Sequence, residues 1–83
     1  MTLLYFAWVR QMIGKNEEPM TLPPGVTDVG GLIAHLRTLG AGYETALGDA
    51  ARIRVAVNQR HAGFDAVIRE GDEIAFFPPV TGG

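Results

Sequence analysis

Hydrophobic residues in the first quarter of the chain follow the pattern of two β-strands. Residues 2–9 (TLLYFAWV) form an apolar, β-branched and aromatic run that predicts the first strand. Because both alternating sets of side chains are apolar, this strand is either covered on both faces or has one apolar face available to bind a partner. Residues 18–22 predict a second strand, with Met20 and Leu22 inward and Thr21 outward. Pro19 cannot donate a ladder hydrogen bond, which places this strand at an edge.

Apolar positions spaced three and four residues apart predict one main helix. The stripe consists of Val29, Leu32, Ile33, Leu36 and Leu39. Thr27 or Asp28 can cap the helix start by accepting a hydrogen bond from a free backbone N–H group. Gly40 ends the helix, and residues 41–49 are predicted as a loop, with one helical turn through Tyr43 to Leu47 as an option. A shorter helical turn is expected over residues 10–13, closed by Gly14.

The second half of the chain contains three further strand signals. Residues 52–58 alternate cleanly, with three apolar side chains inward (Ile53, Val55, Val57) and four residues outward (Arg52, Arg54, Ala56, Asn58). Val67 and Ile68 mark a short segment. The sequence Glu70-Gly71-Asp72 predicts a tight turn, since glycine supplies an unusual backbone angle. The final strand, residues 73–77, ends where Pro78 and Pro79 cannot continue a ladder.

The order of predicted elements is strand, strand, helix, strand, short strand, strand. A hairpin followed by a crossover helix and a late strand gives a mixed sheet with one main helix packed on one face, an α+β fold. We therefore predict the β-grasp, or ubiquitin-like, arrangement. Residues 1–83 are interpreted as a single domain, in which residues 80–83 form an extended, flexible functional tail.

Length and charge narrow the classes of function. A domain of 83 residues buries only about 60% of the surface that its unfolded chain exposes, which favours a binding or carrier module over an enzyme with a deep active site. The net charge of −2 and the scattered basic residues argue against nucleic acid as a partner. No signal peptide and no apolar run of about 20 residues is found, so we expect a cytoplasmic protein without a membrane partner.

The side chains offer no catalytic apparatus. The chain has neither cysteine nor serine, which excludes a thiolate nucleophile and a Ser-His-Asp triad. Its two histidines, His35 and His61, stand far apart without ligand spacing, so no metal site is predicted. Glu17 and Glu18 are neighbours whose side chains point to opposite faces of a strand, which is typical of a solvated surface. We expect the chain to bind no cofactor of its own.

The last four residues provide a different kind of chemistry. Gly82 and Gly83 make a thin, permissive thread, and four extended residues from Val80 reach roughly 13 to 14 Å, enough to pass through a tunnel into a partner's active site. The terminal carboxylate is a poor electrophile until an ATP-using partner adenylates it. A sulfur nucleophile could then convert it to a thiocarboxylate. The diglycine alone is equally compatible with a frayed end.

The C-terminal segment, VNQRHAGFDAVIREGDEIAFFPPVTGG, resembles the small subunit of molybdopterin synthase, the MoaD-type sulfur carriers. The matching features are Asn58, the Gly71-Asp72-Glu73 turn, the apolar strand, and the terminal Pro-Pro-Val-Thr-Gly-Gly. The N-terminal YFAWVRQMIG is also similar to the family's first strand and turn. Gly30 and Gly31 depart from the polar or charged residues usual in the family, which bears on helix stability and not on the tail.

The resemblance implies a specific sulfur-carrier activity. Gly83 would be adenylated as a glycyl adenylate by an adenylyltransferase similar to ubiquitin-activating enzymes, with ATP used by that partner. It would then be thiocarboxylated, with a sulfurtransferase or cysteine desulfurase as the sulfur source. The tail (Val80, Thr81, Gly82) would thread the large synthase subunit and donate sulfur to cyclic pyranopterin monophosphate for molybdenum cofactor biosynthesis. The family assembly is a heterotetramer, with two large subunits at its centre.

Alternation in the first and last strands suggests where this partner docks. We expect Phe77, Pro79 and Val80 to join apolar residues of the first strand in a patch beside the tail, with Phe77, Pro78 and Pro79 at the partner interface. The alternatives are a carrier for thiamin thiazole formation or tRNA thiolation, a protein modifier joined to lysines through Gly83, and a β-grasp interaction module with an idle tail. Pro78-Pro79 before the last four residues favours the molybdopterin branch.

Overall fold

Five strands form one mixed sheet within residues 1–79, the part of the chain that this computed structural model describes. They are β1 (Thr2–Tyr5), β2 (Glu17–Pro19), β3 (Arg54–Val57), β4 (Arg60–Ala62) and β5 (Glu73–Phe77). Their order in the sheet is β2-β1-β5-β3-β4. The β1–β5 pair is parallel and the other three pairs are antiparallel. The last strand of the sequence therefore lies at the centre of the sheet.

Three helices cover one face of this sheet: α1 (Ala7–Ile13), α2 (Val29–Leu36) and α3 (Ala41–Leu47). The core lies between the helices and the inward side chains of the three central strands, which are Leu3, Tyr5, Val55, Ile74 and Phe76. This arrangement confirms the predicted α+β, β-grasp fold. None of the described helices has the length and apolarity needed to cross a membrane.

The main helix begins where the sequence predicts. The Asp28 carboxylate caps α2 by accepting a hydrogen bond from the Gly31 N–H at 2.8 Å. The predicted C-terminal end is wrong, because α2 ends at Leu36 and Leu39 is 45% exposed. The predicted loop over residues 41–49 is mostly α3, whose inner side buries Tyr43, Ala46 and Leu47. Their spacing of three and one is helical, and burial against the core stabilises this short helix.

The first strand is shorter than predicted. It ends at Tyr5, and α1 occupies residues that alternation assigned to the strand. Ala7 breaks the extended backbone with a φ of 54°, and the Arg10 N–H then donates to the Phe6 carbonyl at 3.3 Å. The predicted turn over residues 10–13 is the second half of this helix. Gly14 closes it as expected, with a φ of 87°.

The second strand lies at an edge, as Pro19 predicted, but spans Glu17–Pro19 and not residues 18–22. The predicted orientation of the side chains after the strand is correct, since Met20 and Leu22 pack against the core and Thr21 is exposed. Hydrogen bonding between the two segments continues one residue past Pro19, since the Met20 N–H donates to the Met1 carbonyl at 3.0 Å and the N-terminal ammonium donates to the Met20 carbonyl at 2.8 Å.

The fourth strand follows a two-residue turn that the sequence analysis missed. Asn58 and Gln59 have φ values of 51° and 69°, the left-handed geometry that tight hairpin turns require, and they connect β3 directly to β4. The predicted short segment at Val67 and Ile68 is not this strand. Val67 makes a single bridge with Asp28, and the buried Ile68 packs in the core.

The third and fifth strands agree more closely with prediction. A 3₁₀ turn (Ala50–Arg52) precedes β3, so the strand is shorter than residues 52–58. The predicted turn at Gly71 is present with a φ of 93°, and β5 has the predicted bounds. The predicted tail, residues 80–83, lies outside the described residues.

Candidate functional site

The C-terminal end of β5 is enclosed by its two neighbouring strands. Tyr5 of β1 lies opposite Phe76, and Arg54 of β3 lies opposite Phe77. The Phe6 N–H extends the parallel ladder by one hydrogen bond, to the Phe76 carbonyl at 3.1 Å. Proline has no N–H to donate, so ladder pairing through backbone N–H groups stops after Phe77. The chain therefore leaves the sheet from its centre, with paired strands on both sides.

The sheet face opposite the helices carries a shallow apolar surface at this end. We call it the outer patch and define it by Leu4, Phe6, Ala56, Ala75 and Phe77. Leu4 and Ala56 lie directly opposite Ala75 on its two sides, which makes one row across three strands. Ala56 was expected to face outward, and it does, but the neighbouring strands bury it to 8% exposure. Two of the three side chains in this row are alanines, which gives a flat surface.

Aromatic side chains lie beside this row. Phe6 retains an extended backbone, so strand alternation places it on the outer face, where it is 46% exposed. Phe77 packs edge-to-face against His61, with ring centroids 5.5 Å apart. An exposed aromatic next to a flat apolar row is typical of a protein-binding surface. The sequence analysis predicted that first-strand residues would join Phe77, but it did not anticipate His61, because β4 was assigned elsewhere.

A hydrogen-bonded group beneath β1 fixes the central strands on the helix side. The Glu18 carboxylate accepts hydrogen bonds from the Tyr5 hydroxyl at 3.0 Å, from the Tyr43 hydroxyl at 2.8 Å and from the Lys15 ammonium at 2.8 Å. The Tyr5 ring also stacks on Phe76, with centroids 5.8 Å apart. The group ties β1, β2 and α3 together directly behind the outer patch. The sequence signal was the alternation that turned Glu18 inward while Glu17 remained exposed.

The protonation states of this group favour the ionised carboxylate. Partial burial raises the pKa of Glu18, but the hydrogen bonds from Lys15, Tyr43 and Tyr5 outweigh it and hold the pKa below its usual value. Burial and the hydrogen bond to Glu18 raise the pKa of the Tyr5 hydroxyl far above its usual range. Hydrogen bonds to Glu18 and Tyr43 raise the pKa of Lys15 to about 12. The three hydrogen bonds thus keep Glu18 ionised in the folded protein and hold the group together.

The other end of β5 is fixed by Asn58. Its amide nitrogen donates to the Asp72 carboxylate at 3.1 Å, and Asp72 also accepts the Arg69 N–H at 2.8 Å. These hydrogen bonds lower the pKa of Asp72. Asn58 and the Gly71-Asp72-Glu73 turn were matched only as motifs in the sequence. The structure shows that they meet in space and set the start of the central strand.

The described residues bring no reactive side chains together. Between residues 1 and 79 the surface has no enclosed pocket and no group of three or more His, Asp or Glu side chains that could hold a metal ion. Phe77, Pro78 and Pro79 lie half-buried at the end of β5, where the sequence placed the partner interface. The predicted threading residues Val80, Thr81 and Gly82, and the reactive Gly83, lie outside this part of the chain.

A mixed five-stranded sheet with helices on one face, together with a central last strand that leads to the chain's end, defines a protein of the ubiquitin-like β-grasp class. Within that class the chain belongs to the ThiS family, whose family model matches residues 3–83.

Named relatives resemble the whole chain. The molybdopterin synthase sulfur carrier subunit of Escherichia coli is 37% identical over 98% of this chain and 96% of its own length. The protein of the same name from Haemophilus influenzae is 35% identical over 100% of this chain and 99% of its own length. A solved structure of a putative molybdopterin converting factor subunit 1 from Pyrococcus furiosus superposes with a TM-score of 0.70 at 30% identity, covering 95% of each chain.

Proposed function

We propose that this protein is the sulfur-carrier subunit of a molybdopterin synthase. The observation that carries the proposal is the central position of β5, which ends at Pro78-Pro79 beside the apolar outer patch and is followed in the sequence by Val-Thr-Gly-Gly. The names of the full-length relatives support the same function. The chain contributes the terminal carboxylate that carries sulfur, and its partners contribute the catalytic side chains.

The chemistry takes place at the carboxylate of Gly83. A carboxylate oxygen attacks the α-phosphorus of ATP in an adenylyltransferase similar to ubiquitin-activating enzymes, and pyrophosphate leaves. The terminal sulfur of a persulfide on a sulfurtransferase or cysteine desulfurase then attacks the carbonyl carbon of the glycyl adenylate, and AMP leaves. A reducing thiol cleaves the S–S bond of the resulting acyl disulfide, which releases the thiocarboxylate and leaves the two partner thiols joined as a disulfide. Since the chain has no cysteine, this sulfur is carried by the terminus alone. The requirement for ATP is consistent with a cytoplasmic location, and the chain itself needs no bound cofactor.

The large subunit of the synthase is the proposed acceptor of the loaded tail. The outer patch docks on it, and residues 80–83 thread its active site, where sulfur passes to cyclic pyranopterin monophosphate. Two such donations build the dithiolene that binds molybdenum. A glycine at each of the last two positions keeps the thread narrow, because any side chain there widens it. The assembly is a heterotetramer with this chain at each end.

The intact mass of the chain tests the carrier step. After incubation with ATP, the activating enzyme and a sulfur source, we expect the mass change of one oxygen replaced by sulfur. Two controls should stay unmodified: a chain without Gly83, and a chain with one residue added after Gly83. An unchanged mass of the full-length chain with cognate activating enzymes would rule out the carrier function. Lysine-linked conjugates in place of the thiocarboxylate would identify a protein modifier.

A second measurement tests the acceptor. The thiocarboxylated chain, mixed with the large subunit and cyclic pyranopterin monophosphate, should return to its carboxylate mass while the pterin gains sulfur. Transfer to a thiazole precursor or to tRNA, with none to the pterin, would assign the carrier to another pathway and contradict the molybdopterin assignment.

A further inference from the structure

Two arginines flank the point where β5 ends, one on each side of the sheet. Arg52 closes the 3₁₀ turn before β3, and its guanidinium carbon lies 4.8 Å from the centre of the Trp8 ring. Trp8 belongs to α1, which follows β1, while Arg52 precedes β3. Since β5 lies between β1 and β3, this stacked pair spans the end of the central strand on the helix side. The aromatic face holds the long arginine side chain in one place.

Arg54 occupies the other side of the same strand end. It lies directly opposite Phe77, and strand alternation places it on the outer face beside the outer patch. One guanidinium nitrogen donates to the Ile53 carbonyl at 2.9 Å, which also restricts this side chain. Both arginines are exposed, and among residues 1–79 neither has a carboxylate within salt-bridge distance. Within residues 1–79, both restrained guanidinium groups therefore keep hydrogen-bond donors without an acceptor near the end of β5.

This local charge contrasts with the rest of the protein. The chain as a whole has a net charge of −2. Acidic residues of the same sheet lie elsewhere: Glu17 is on the edge strand, and Glu73 is at the opposite end of β5. A guanidinium presents a planar fork that matches a carboxylate, and Trp and Arg are enriched among the residues that dominate protein interfaces. The side chains best suited to this position on a partner are acidic.

We infer that Arg52 and Arg54 bind carboxylates on the large subunit, at the rim of the opening that receives the tail. The inference rests on the proposed function, because it needs the docked complex. Arginines that are already restrained lose little conformational freedom on binding, which favours them as anchors. Ion pairs on the two faces of the sheet would also fix how the carrier is rotated relative to the large subunit. The flat outer patch alone does not determine this rotation.

The test is calorimetric titration of the full-length chain into the large subunit at low and at high salt. Arg52→Gln and Arg54→Gln remove the charge but keep most of the side-chain length. We expect each to weaken binding about three- to tenfold at low ionic strength, with the difference shrinking at high salt as charges are screened. Arg52→Lys keeps a cation over Trp8 but not the planar fork, so it should restore only part of the affinity lost in Arg52→Gln.

Arg60→Gln is the matched control. Arg60 is an exposed arginine on β4 opposite Val57, which pairs with Ile74 near the start of β5, so it lies away from the tail. Its affinity should equal that of the parent chain. Equal affinities for the parent, Arg52→Gln and Arg54→Gln at low salt would overturn the inference, as would an equal loss in Arg60→Gln. Failure of the parent chain to bind the large subunit would instead overturn the proposed function.

Discussion

The side chain of Asn58 pairs with the backbone of Glu73 as if it belonged to the sheet. Its amide oxygen accepts the Glu73 N–H at 2.9 Å, while its own backbone N–H donates to the Glu73 carbonyl at 2.8 Å. The same residue has a φ of 51°, which a tight turn requires and which asparagine tolerates better than most residues. One residue thus ends β3, starts the hairpin and fixes the start of β5.

Replacing Asn58 should separate these roles. Asn58→Gly keeps the left-handed backbone and removes the side-chain hydrogen bonds, so we expect a loss of about 1–2 kcal/mol in the free energy of unfolding. Asn58→Ala should lose roughly 1 kcal/mol more, because a Cβ is unfavourable at positive φ. Urea denaturation measures both. A glycine variant as stable as the parent would show that the side-chain hydrogen bonds contribute nothing.

The Glu18 group predicts a dependence of stability on acid pH. Because the folded-state pKa of Glu18 is lowered, the ionised carboxylate stabilises the fold above its unfolded pKa of about 4.3, and this contribution is lost as the pH falls below that value. Glu18→Gln should therefore unfold more easily at pH 7, by about 1–2 kcal/mol, and lose less stability on acidification.

The control for Glu18→Gln is Glu17→Gln, on the same strand with an exposed side chain. Glu17→Gln should change neither the stability at pH 7 nor the loss of stability on acidification appreciably. Some acid sensitivity should persist in both variants, since the pKa values of Glu44, Glu70 and Asp72 are also lowered by their hydrogen bonds. Identical stability curves for Glu18→Gln and the parent from neutral to acid pH would contradict the structural role of the group.

Gly42 determines how closely α3 approaches α1. A Cβ at this position would collide with the Met12 carbonyl oxygen, which belongs to rigid helical backbone. We expect Gly42→Ala to destabilise the fold by about 2 kcal/mol or more. At Gly40, before the same helix, an added Cβ would lie 3.8 Å from the Tyr43 ring, an ordinary contact, so Gly40→Ala should be nearly neutral. Equal midpoints of denaturation for the two variants would refute this packing argument.

The outer patch predicts the effect of a charge at Phe77. Phe77→Asp should abolish binding to the large subunit, because the apolar contact of the ring is lost and a carboxylate must be desolvated in its place. The side chain is only half-buried in the free protein, so the isolated fold should persist by circular dichroism. Phe64→Asp, at an exposed aromatic in the loop after β4, is the matched control and should bind normally. Unaltered affinity of Phe77→Asp would exclude the patch as the docking surface.

Alternation and helical spacing were sufficient to predict the sheet-with-helix architecture, and the reasons are local. The side chain of Asp28 caps α2. Pro19 has no N–H for the ladder and is therefore found at a sheet edge, and Gly71 adopts a positive φ without strain. Each of these properties belongs to one residue type and does not depend on distant neighbours. The same holds for β5, since an apolar run bounded by a glycine turn and two prolines has few alternatives.

The errors arose where tertiary contacts override local pattern. Residues 7–9 continue the apolar alternation of the strand, yet the strained backbone at Ala7 starts a helix there that packs on α3. The turn at Asn58 and Gln59 lacks the glycine that usually marks such hairpins, so β4 was missed and with it the contact of His61 with Phe77. The stacking of Arg52 on Trp8 joins residues 44 positions apart, which no local spacing can indicate.

The central position of β5 has a consequence for the synthesis of the protein. β1 and β3 do not pair with each other, and each needs β5 as its neighbour. A chain interrupted before Glu73 therefore lacks the strand that unites the two halves of the sheet, and it has neither Ala75 nor Phe77 of the outer patch. We therefore expect a chain that stops before β5 not to dock on the partner. Competence to dock is thus coupled, through the topology of the sheet, to synthesis of the strand that leads directly to Pro78 and Pro79.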